Sequence, residues 1–293
     1  MALEDWQGAI AESHHLAELM PEQVLVQQSL AQTLKAQGLI EEAIRVYRRA
    51  LTFAPDAFEL RLGLAELLCE QEKWQEALPQ AEAAIRLAPK VAQAHYYAGR
   101  AELGLEHWQP AVAHLKQAVS LEPEFFWGRY FLGQALLGLE DWQGAASVLE
   151  AAMPLNPEFH WGYFHLGRVF LRLEQYSQAV DAFLRVQTLK PDTPWLAKKL
   201  ADALRGRVLM DMEAAVGWYR RAIVENPHDL ENYHRALDLK SDDAQLYVQL
   251  ADQLHHNNQD NGAITFYQMA LRIQPDLPEV KQKLEKLLKK KIK

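Results

Sequence analysis

The chain has 293 residues, of which 49% are hydrophobic and 24% are charged, so it can bury an apolar core. Its formal net charge of -8 argues against a general nucleic-acid binder, because such proteins are basic. Cys69 is the single cysteine, which excludes an internal disulfide and fits a reducing compartment.

The first ten residues, MALEDWQGAI, lack the basic and uninterrupted apolar parts of a secretory signal. No run of about 18 apolar residues follows anywhere in the chain, so no membrane span is predicted. We therefore expect a cytoplasmic protein.

One spacing of 34 residues runs through most of the chain, and residues 122–155 superimpose on 156–189 without a gap. Prolines recur at this spacing: Pro21, Pro55, Pro89, Pro123, Pro157 and Pro191. Alanines do the same: Ala9, Ala43, Ala77, Ala111, Ala145 and Ala179. A fixed period of this length is typical of a repeat protein.

These positions resemble the tetratricopeptide repeat (TPR) family, whose degenerate motif of about 34 residues is a helix–turn–helix. The small residue of the family at position 8 is matched by Ala31, Ala65, Gly99, Gly133, Gly167 and Ala201. Position 27 is matched by Ala50, Ala84, Ala118 and Ala152, whereas Val186 departs from the pattern. The resemblance implies an all-α solenoid of helix–turn–helix repeats that forms a right-handed superhelix.

Residues 1–23 match only the second half of a repeat, because LEDWQGA occurs at 3–9 and again at 139–145. We expect a second helix without its first, preceded in the gene by further sequence or left as a half-repeat. Such a helix leaves Ile10, Leu16 and Leu19 exposed or covered by a partner, which predicts self-association.

The other predicted segments follow in order: five regular repeats over 24–193 (24–57, 58–91, 92–125, 126–159 and 160–193), a sixth at 194–227 with two extra residues in the turn at 206–211, a single helix within 228–243, a repeat at 244–277 and a C-terminal helix at 278–293. Pro79 is expected to kink its helix or to shift the start of that helix. The lysine-rich C-terminal helix is predicted to cap the solenoid, with contact to an anionic membrane or acidic partner as the alternative.

Two sets of aromatic residues follow the period. The first occupies position 17, where the family packs a large residue, and is predicted to be structural: Trp6, Trp74, Trp108, Trp142 and Tyr176. The second, at position 2, is Trp127, Trp161 and Trp195.

In the TPR family, positions 2, 5, 6, 9, 12 and 13 face a concave groove. Carried over, the resemblance implies a partner-binding groove lined by Tyr96, Tyr97, Arg100, Trp127, Tyr130, Phe131, Gln134, Trp161, Phe164, His165, Arg168, Trp195 and Lys198, with Lys199 and Asp202 beside them. Clustered aromatic and arginine side chains are typical of binding hot spots. The alternative is that adjacent first helices bury these rings against one another.

No catalytic or cofactor motif of the types GxSxG, GxxxxGK[ST] or HExxH occurs, so we expect no catalytic residue and no cofactor. Neighbouring histidines on a helix diverge by about 100°, so neither His14–His15 nor His255–His256 predicts a metal site. The TPR subtype that clamps a carboxylate needs asparagines at positions 6 and 9. Here those positions carry Ser29, Gln32, Tyr97, Arg100, Phe131, Gln134, His165 and Arg168.

The sequence therefore predicts a non-catalytic scaffold or adaptor for protein–protein interaction. An extended peptide or a partner helix would lie in the groove, with Arg100 and Arg168 pairing acidic groups. The alternative is a TPR arm that positions a substrate or partner for a larger enzyme, such as a glycosyl- or sulfotransferase, whose catalytic domain lies outside this chain.

Overall fold

A computed structural model describes residues 15–20, 22–207 and 212–292, and this part of the chain contains helices and turns but no strand. It divides into two compact units, Met1–Pro157 and Glu158–Lys293, which we call the N-terminal unit and the C-terminal unit. Each is described by itself.

The N-terminal unit contains eight consecutive α-helices from Val24 onward: α1 (Val24–Ala36), α2 (Ile40–Phe53), α3 (Phe58–Glu70), α4 (Trp74–Leu87), α5 (Ala92–Gly104), α6 (Trp108–Leu121), α7 (Phe126–Gly138) and α8 (Trp142–Ala152). A 3-10 turn, Met153–Leu155, follows α8. Residues 15–19 are also helical, and Leu16 and Leu19 are 42% and 64% exposed. Trp6, Ala9 and Ile10 lie outside the described residues.

Small residues let the helices of the N-terminal unit approach closely. The recurring alanines Ala43, Ala77 and Ala111 are fully buried. A Cβ atom added to Gly99 of α5 would lie 2.5 Å from Leu115 of α6, a distance that no real contact has. The period of small residues in the sequence therefore marks where backbones pack against large side chains.

Two of the aromatic residues at position 17, Trp74 and Trp108, pack on glycines near the end of a later helix. A Cβ atom on Gly104 would lie 2.3 Å from the Trp74 ring, and one on Gly138 would lie 2.4 Å from the Trp108 ring. Each ring begins the second helix of one repeat and covers the end of the first helix of the next. The rings therefore join neighbouring repeats, which is the physical reason for the structural role predicted for them.

The turns between paired helices place a glutamate in the left-handed backbone region. Glu72, Glu106 and Glu140 have φ of 55°, 61° and 58°, and the equivalent Gly38 has φ of 76°. Pro79 lies inside α4 and does not shift the start of that helix. The start of α4 keeps the period, since α4 begins at Trp74 and α6 begins 34 residues later at Trp108.

The C-terminal unit contains α9 (His160–Arg172), α10 (Tyr176–Leu189), α11 (Leu196–Arg207), α12 (Met212–Glu225), α13 (Leu230–Leu239), α14 (Ala244–His256), α15 (Asp260–Ile273) and α16 (Pro278–Ile292). Of the turn at 206–211, where two extra residues are expected, residues 208–211 lie outside the described part. The short helix α13 packs against α12 and α14.

The core of the C-terminal unit is built around three tyrosine rings, Tyr219, Tyr233 and Tyr267, which are at most 2% exposed. Helix α16 adds Val280 and Leu287 to this core. One face of α16 is therefore buried in this core, and α16 packs against α15.

Candidate partner-binding site

In the N-terminal unit, α5 and α7 bring six of the predicted groove residues into one cluster, which we call the aromatic cluster: Tyr96, Tyr97, Arg100, Trp127, Tyr130 and Phe131. Phe131 lies at its centre. The Phe131 ring centroid lies 5.9 Å from that of Tyr96, 6.1 Å from that of Trp127 and 5.1 Å from that of Tyr130. Such separations are typical of favourable aromatic pairs.

The guanidinium group of Arg100 lies against the faces of these rings. Its central carbon is 4.7 Å from the Phe131 centroid and 5.9 Å from the Tyr96 centroid. It is also 5.7 Å from the ring of Trp74. In the described part of the chain Arg100 forms no ion pair with a carboxylate, and its guanidinium group is within the range of cation–π contact with these rings.

The base of the aromatic cluster is buried, whereas one edge reaches solvent. Tyr96 and Tyr130 are 8% and 5% exposed, and Trp127 is 41% exposed. Burial raises the pKa of Tyr96 to about 12 and also raises the pKa of Tyr130. The amide of Gln134, another predicted residue, donates a hydrogen bond of 2.7 Å to the Tyr130 hydroxyl.

Two further aromatic residues extend the cluster and were not among the predicted residues. The rings of Phe125 and Tyr96 meet edge to face at 4.9 Å, and those of Phe126 and Tyr130 stack at 6.1 Å. Their adjacency to Trp127 in the run EPEFFW was a usable signal. The resemblance to the family did not identify these two residues, because it assigns the groove to other positions of the repeat.

In the C-terminal unit, α9 brings together the next four predicted residues. Trp161 lies 5.4 Å from Phe164 and 6.3 Å from His165, ring centroid to ring centroid. Arg168 Nη1 lies 3.4 Å from His165 Nδ1. Burial, with a smaller contribution from the charge of Arg168, lowers the pKa of His165 to about 4. The imidazole is therefore neutral at physiological pH.

Trp195 departs from the other two position-2 tryptophans. Trp127 and Trp161 are second residues of α7 and α9, whereas Trp195 precedes α11, with φ of 61° and 63% exposure. Its carbonyl accepts the first helical hydrogen bond, from Lys199 N. Since the left-handed backbone interrupts the helical geometry, α11 begins only at Leu196.

The predicted lysine Lys198 is engaged by acidic residues. Its Nζ lies 2.9 Å from Asp229 and 3.0 Å from Glu231. Partial burial opposes the charged ammonium, but these bonds outweigh it and raise the pKa of Lys198. Beside it, Lys199 lies 3.8 Å from Asp202, which also accepts a hydrogen bond of 2.5 Å from the Tyr219 hydroxyl.

No three His, Cys, Asp or Glu side chains converge as a metal ion would require, as far as the described ranges extend. None of the described helices is both long enough and apolar enough to cross a membrane. The geometry thus presents ring faces, fixed charges and hydrogen-bonding groups, which are the means of non-covalent recognition.

The paired helices, the recurring small residues and the covering rings define a helical repeat protein of the solenoid class. Models of the tetratricopeptide repeat match residues 24–67 and, in overlapping segments, 62–124, 98–158, 130–194 and 164–229. The chain belongs to the tetratricopeptide repeat family. A search of curated proteins returned no match.

Solved structures share the fold. YrrB, described as a TPR protein with an unusual peptide-binding site, is 22% identical, with a TM-score of 0.54 over 64% of this chain and 98% of its own. PilF of Pseudomonas aeruginosa is 18% identical, with a TM-score of 0.59 over 71% and 94% of the two chains. MamA of Desulfovibrio magneticus RS-1 is 22% identical, with a TM-score of 0.52 over 58% and 96%. At these identities the likeness concerns the fold alone.

Proposed function

We propose that this protein is a non-catalytic scaffold that binds a peptide or helix of another protein on the aromatic cluster. The observation that carries the proposal is the half-exposed Trp127, which lies on a buried base of rings beside the cation of Arg100. Rings with a fixed, largely buried base lose little conformational entropy when a partner covers their exposed edge.

The chemistry of the cluster indicates which residues of a partner it recognises. The exposed edge of Trp127 offers apolar contact to an aromatic or aliphatic side chain. Arg100 is paired with ring faces and with no described carboxylate, so an acidic side chain of the partner can add a charge-assisted hydrogen bond. The proposed partner segment therefore combines an apolar side chain with a nearby Asp or Glu.

The test is selection of peptides from a display library on the full chain, followed by calorimetric titration of the selected peptides. We expect selected sequences in which a large apolar residue lies near an acidic one. Their affinity should fall about tenfold or more in Arg100→Gln, since a charge-assisted bond is lost. Selected peptides that bind Arg100→Gln and the unchanged protein equally would contradict the proposed role of Arg100.

The cytoplasm is the location we propose for this activity. Cys69 is buried, and burial raises the pKa of its thiol to about 12, as suits a cysteine that stays reduced and unreactive. A fluorescent fusion of the full chain tests this, and its accumulation in another compartment would contradict the proposal.

A further inference from the structure

The C-terminal unit contains a pocket that lies beside Trp195. It encloses a volume of about 360 Å³, which is within the usual range for sites that bind small ligands. Its walls come from the segment before α11, the first turn of α11, the end of α12 and the start of α13. The residues that the argument uses are Asp192, Trp195, Lys198, Glu225, Asp229 and Asn232.

Asn232 supplies an unused hydrogen-bond acceptor at this pocket. The residue is 2% exposed, and its side-chain oxygen is buried with no hydrogen-bond partner among the residues that the structure describes. Buried polar atoms in folded proteins are nearly always paired, and an exception calls for an explanation. A ligand that brings an N–H donor into the pocket would supply the missing partner.

The backbone of Trp195 adopts a strained conformation that fixes where its ring lies. A bulky residue with φ of 61° is unusual, because its Cβ atom crowds the neighbouring carbonyl. The side chain is nevertheless 63% exposed, so burial of the indole does not offset this strain. Strained residues of this kind cluster at ligand sites, where a particular orientation of the side chain is needed.

The charges around the pocket are predominantly negative. Three carboxylates line it, those of Asp192, Glu225 and Asp229, against one ammonium, that of Lys198. Lys198 is already shared between Asp229 and Glu231. Among the described residues, Glu225 forms an ion pair only with the exposed Arg221, at 3.3 Å. Asp192 has no ion-pair partner in the described part of the chain. A cation entering the pocket is therefore favoured over an anion.

We propose that this pocket binds the cationic side chain, arginine or lysine, of a protein partner. The cation lies against the Trp195 ring, donates an N–H to the oxygen of Asn232 and is balanced by Asp192 and Glu225. This inference rests on the proposed function in one respect: the cationic side chain in the pocket belongs to a segment of a bound protein. Its residues are separate from those of the aromatic cluster.

The test is an NMR titration of the full chain with blocked tripeptides. The probes are Ac-Gly-Arg-Gly-NH2 and Ac-Gly-Lys-Gly-NH2, and the controls are Ac-Gly-Gln-Gly-NH2 and Ac-Gly-Glu-Gly-NH2. We expect saturable shifts of the Trp195 indole N–H and the Asn232 side-chain amide with the two cationic probes alone, weakening as salt is added. Equal shifts with the glutamine control would overturn the proposal, as would no shift. Propylguanidine, which carries a single guanidinium charge and no peptide backbone, should bind more weakly, and equal binding would overturn the peptide occupant.

Two variants distinguish a binding role from a structural one. Trp195→Gly relieves the strained backbone and Asn232→Leu removes the unpaired acceptor, so neither should lower the thermal unfolding midpoint. Each should weaken binding of the arginine probe about tenfold or more. Unchanged binding in both variants would refute the site, and weaker binding that only accompanies unfolding would assign both residues a structural role.

Trp127→Ala separates this inference from the proposed function. It should leave the tripeptide titration unchanged. Tripeptides that fail to bind, together with display-selected peptides that need Trp127, would refute the pocket alone. Tripeptides that bind, together with selected peptides indifferent to Trp127, would refute the aromatic cluster alone.

Discussion

Replacement of Gly138 by alanine tests the packing that joins neighbouring repeats. The added methyl group would lie 2.4 Å from the Trp108 ring, so the ring or the end of α7 must move. Overpacking of this kind costs roughly 1–3 kcal/mol. The higher helix propensity of alanine offsets up to about 1 kcal/mol of this loss in the free energy of unfolding. We therefore expect Gly138→Ala to lower the free energy of unfolding by roughly 1–2 kcal/mol.

Gly217→Ala is the matched control, because Gly217 is also helical but an added Cβ atom would meet no described atom within 4 Å. It should stabilise the protein by about 0.5–1 kcal/mol. Both variants are measured by urea denaturation, followed by circular dichroism.

A double-mutant cycle completes the test. In the background of Trp108→Ala the ring is gone, so Gly138→Ala should become neutral or stabilising. A Gly138→Ala variant that is stabilised as much as Gly217→Ala, with Trp108 present, would refute the inferred contact between the ring and the glycine.

Three further outcomes are expected. The pKa of His165 is about 4 in the folded state, so the folded protein keeps this imidazole neutral above that pH. In the unfolded chain the same group is protonated near the ordinary histidine pKa of about 6.5. Stability that is present above pH 6.5 is therefore lost as the pH falls toward 4. Urea denaturation at pH 7 and 4.5 should show a loss about 2–3 kcal/mol larger in the unchanged protein than in His165→Gln, and equal losses would contradict the assigned pKa. Glu106→Gly should stabilise by about 0.5–1 kcal/mol, because glycine accepts a φ of 61° without strain, whereas Glu106→Ala should not; equal thermal midpoints would count against this. If Leu16 and Leu19 join two copies, sedimentation should show a dimer that Leu16→Glu/Leu19→Glu abolishes, and a monomer at high concentration would refute self-association.

The repeat architecture was predictable because one period governs both the sequence and the packing. Ala43 and Ala77 recur at 34 residues, and both are fully buried where helices meet. The position-17 rings were likewise recognisable from their spacing, although the glycines beneath them, such as Gly104, were not. A periodic pattern identifies positions that every repeat must share, and it does not identify the partner that each side chain meets.

The candidate sites were predictable only in part. The period placed Trp195 with Trp127 and Trp161, yet its left-handed backbone puts it before α11 rather than within it. The unpaired oxygen of Asn232 left no trace in the sequence, because it depends on which groups happen to lie nearby. Lys198 was predicted as a groove residue, whereas its ion pairs arise from residues more than 30 positions away.

The central claim, that the aromatic cluster is a binding surface, is tested most directly by the affinity of Trp127→Ala for a display-selected peptide. Phe53→Ala is the matched control, since Phe53 is an exposed ring in the same unit, at 52% exposure, outside the cluster. Calorimetric titration should show a loss of roughly 2 kcal/mol or more for Trp127→Ala, as for a hot-spot residue, and little change for Phe53→Ala. Equal affinities of Trp127→Ala and the unchanged protein, with both fully folded, would contradict the claim.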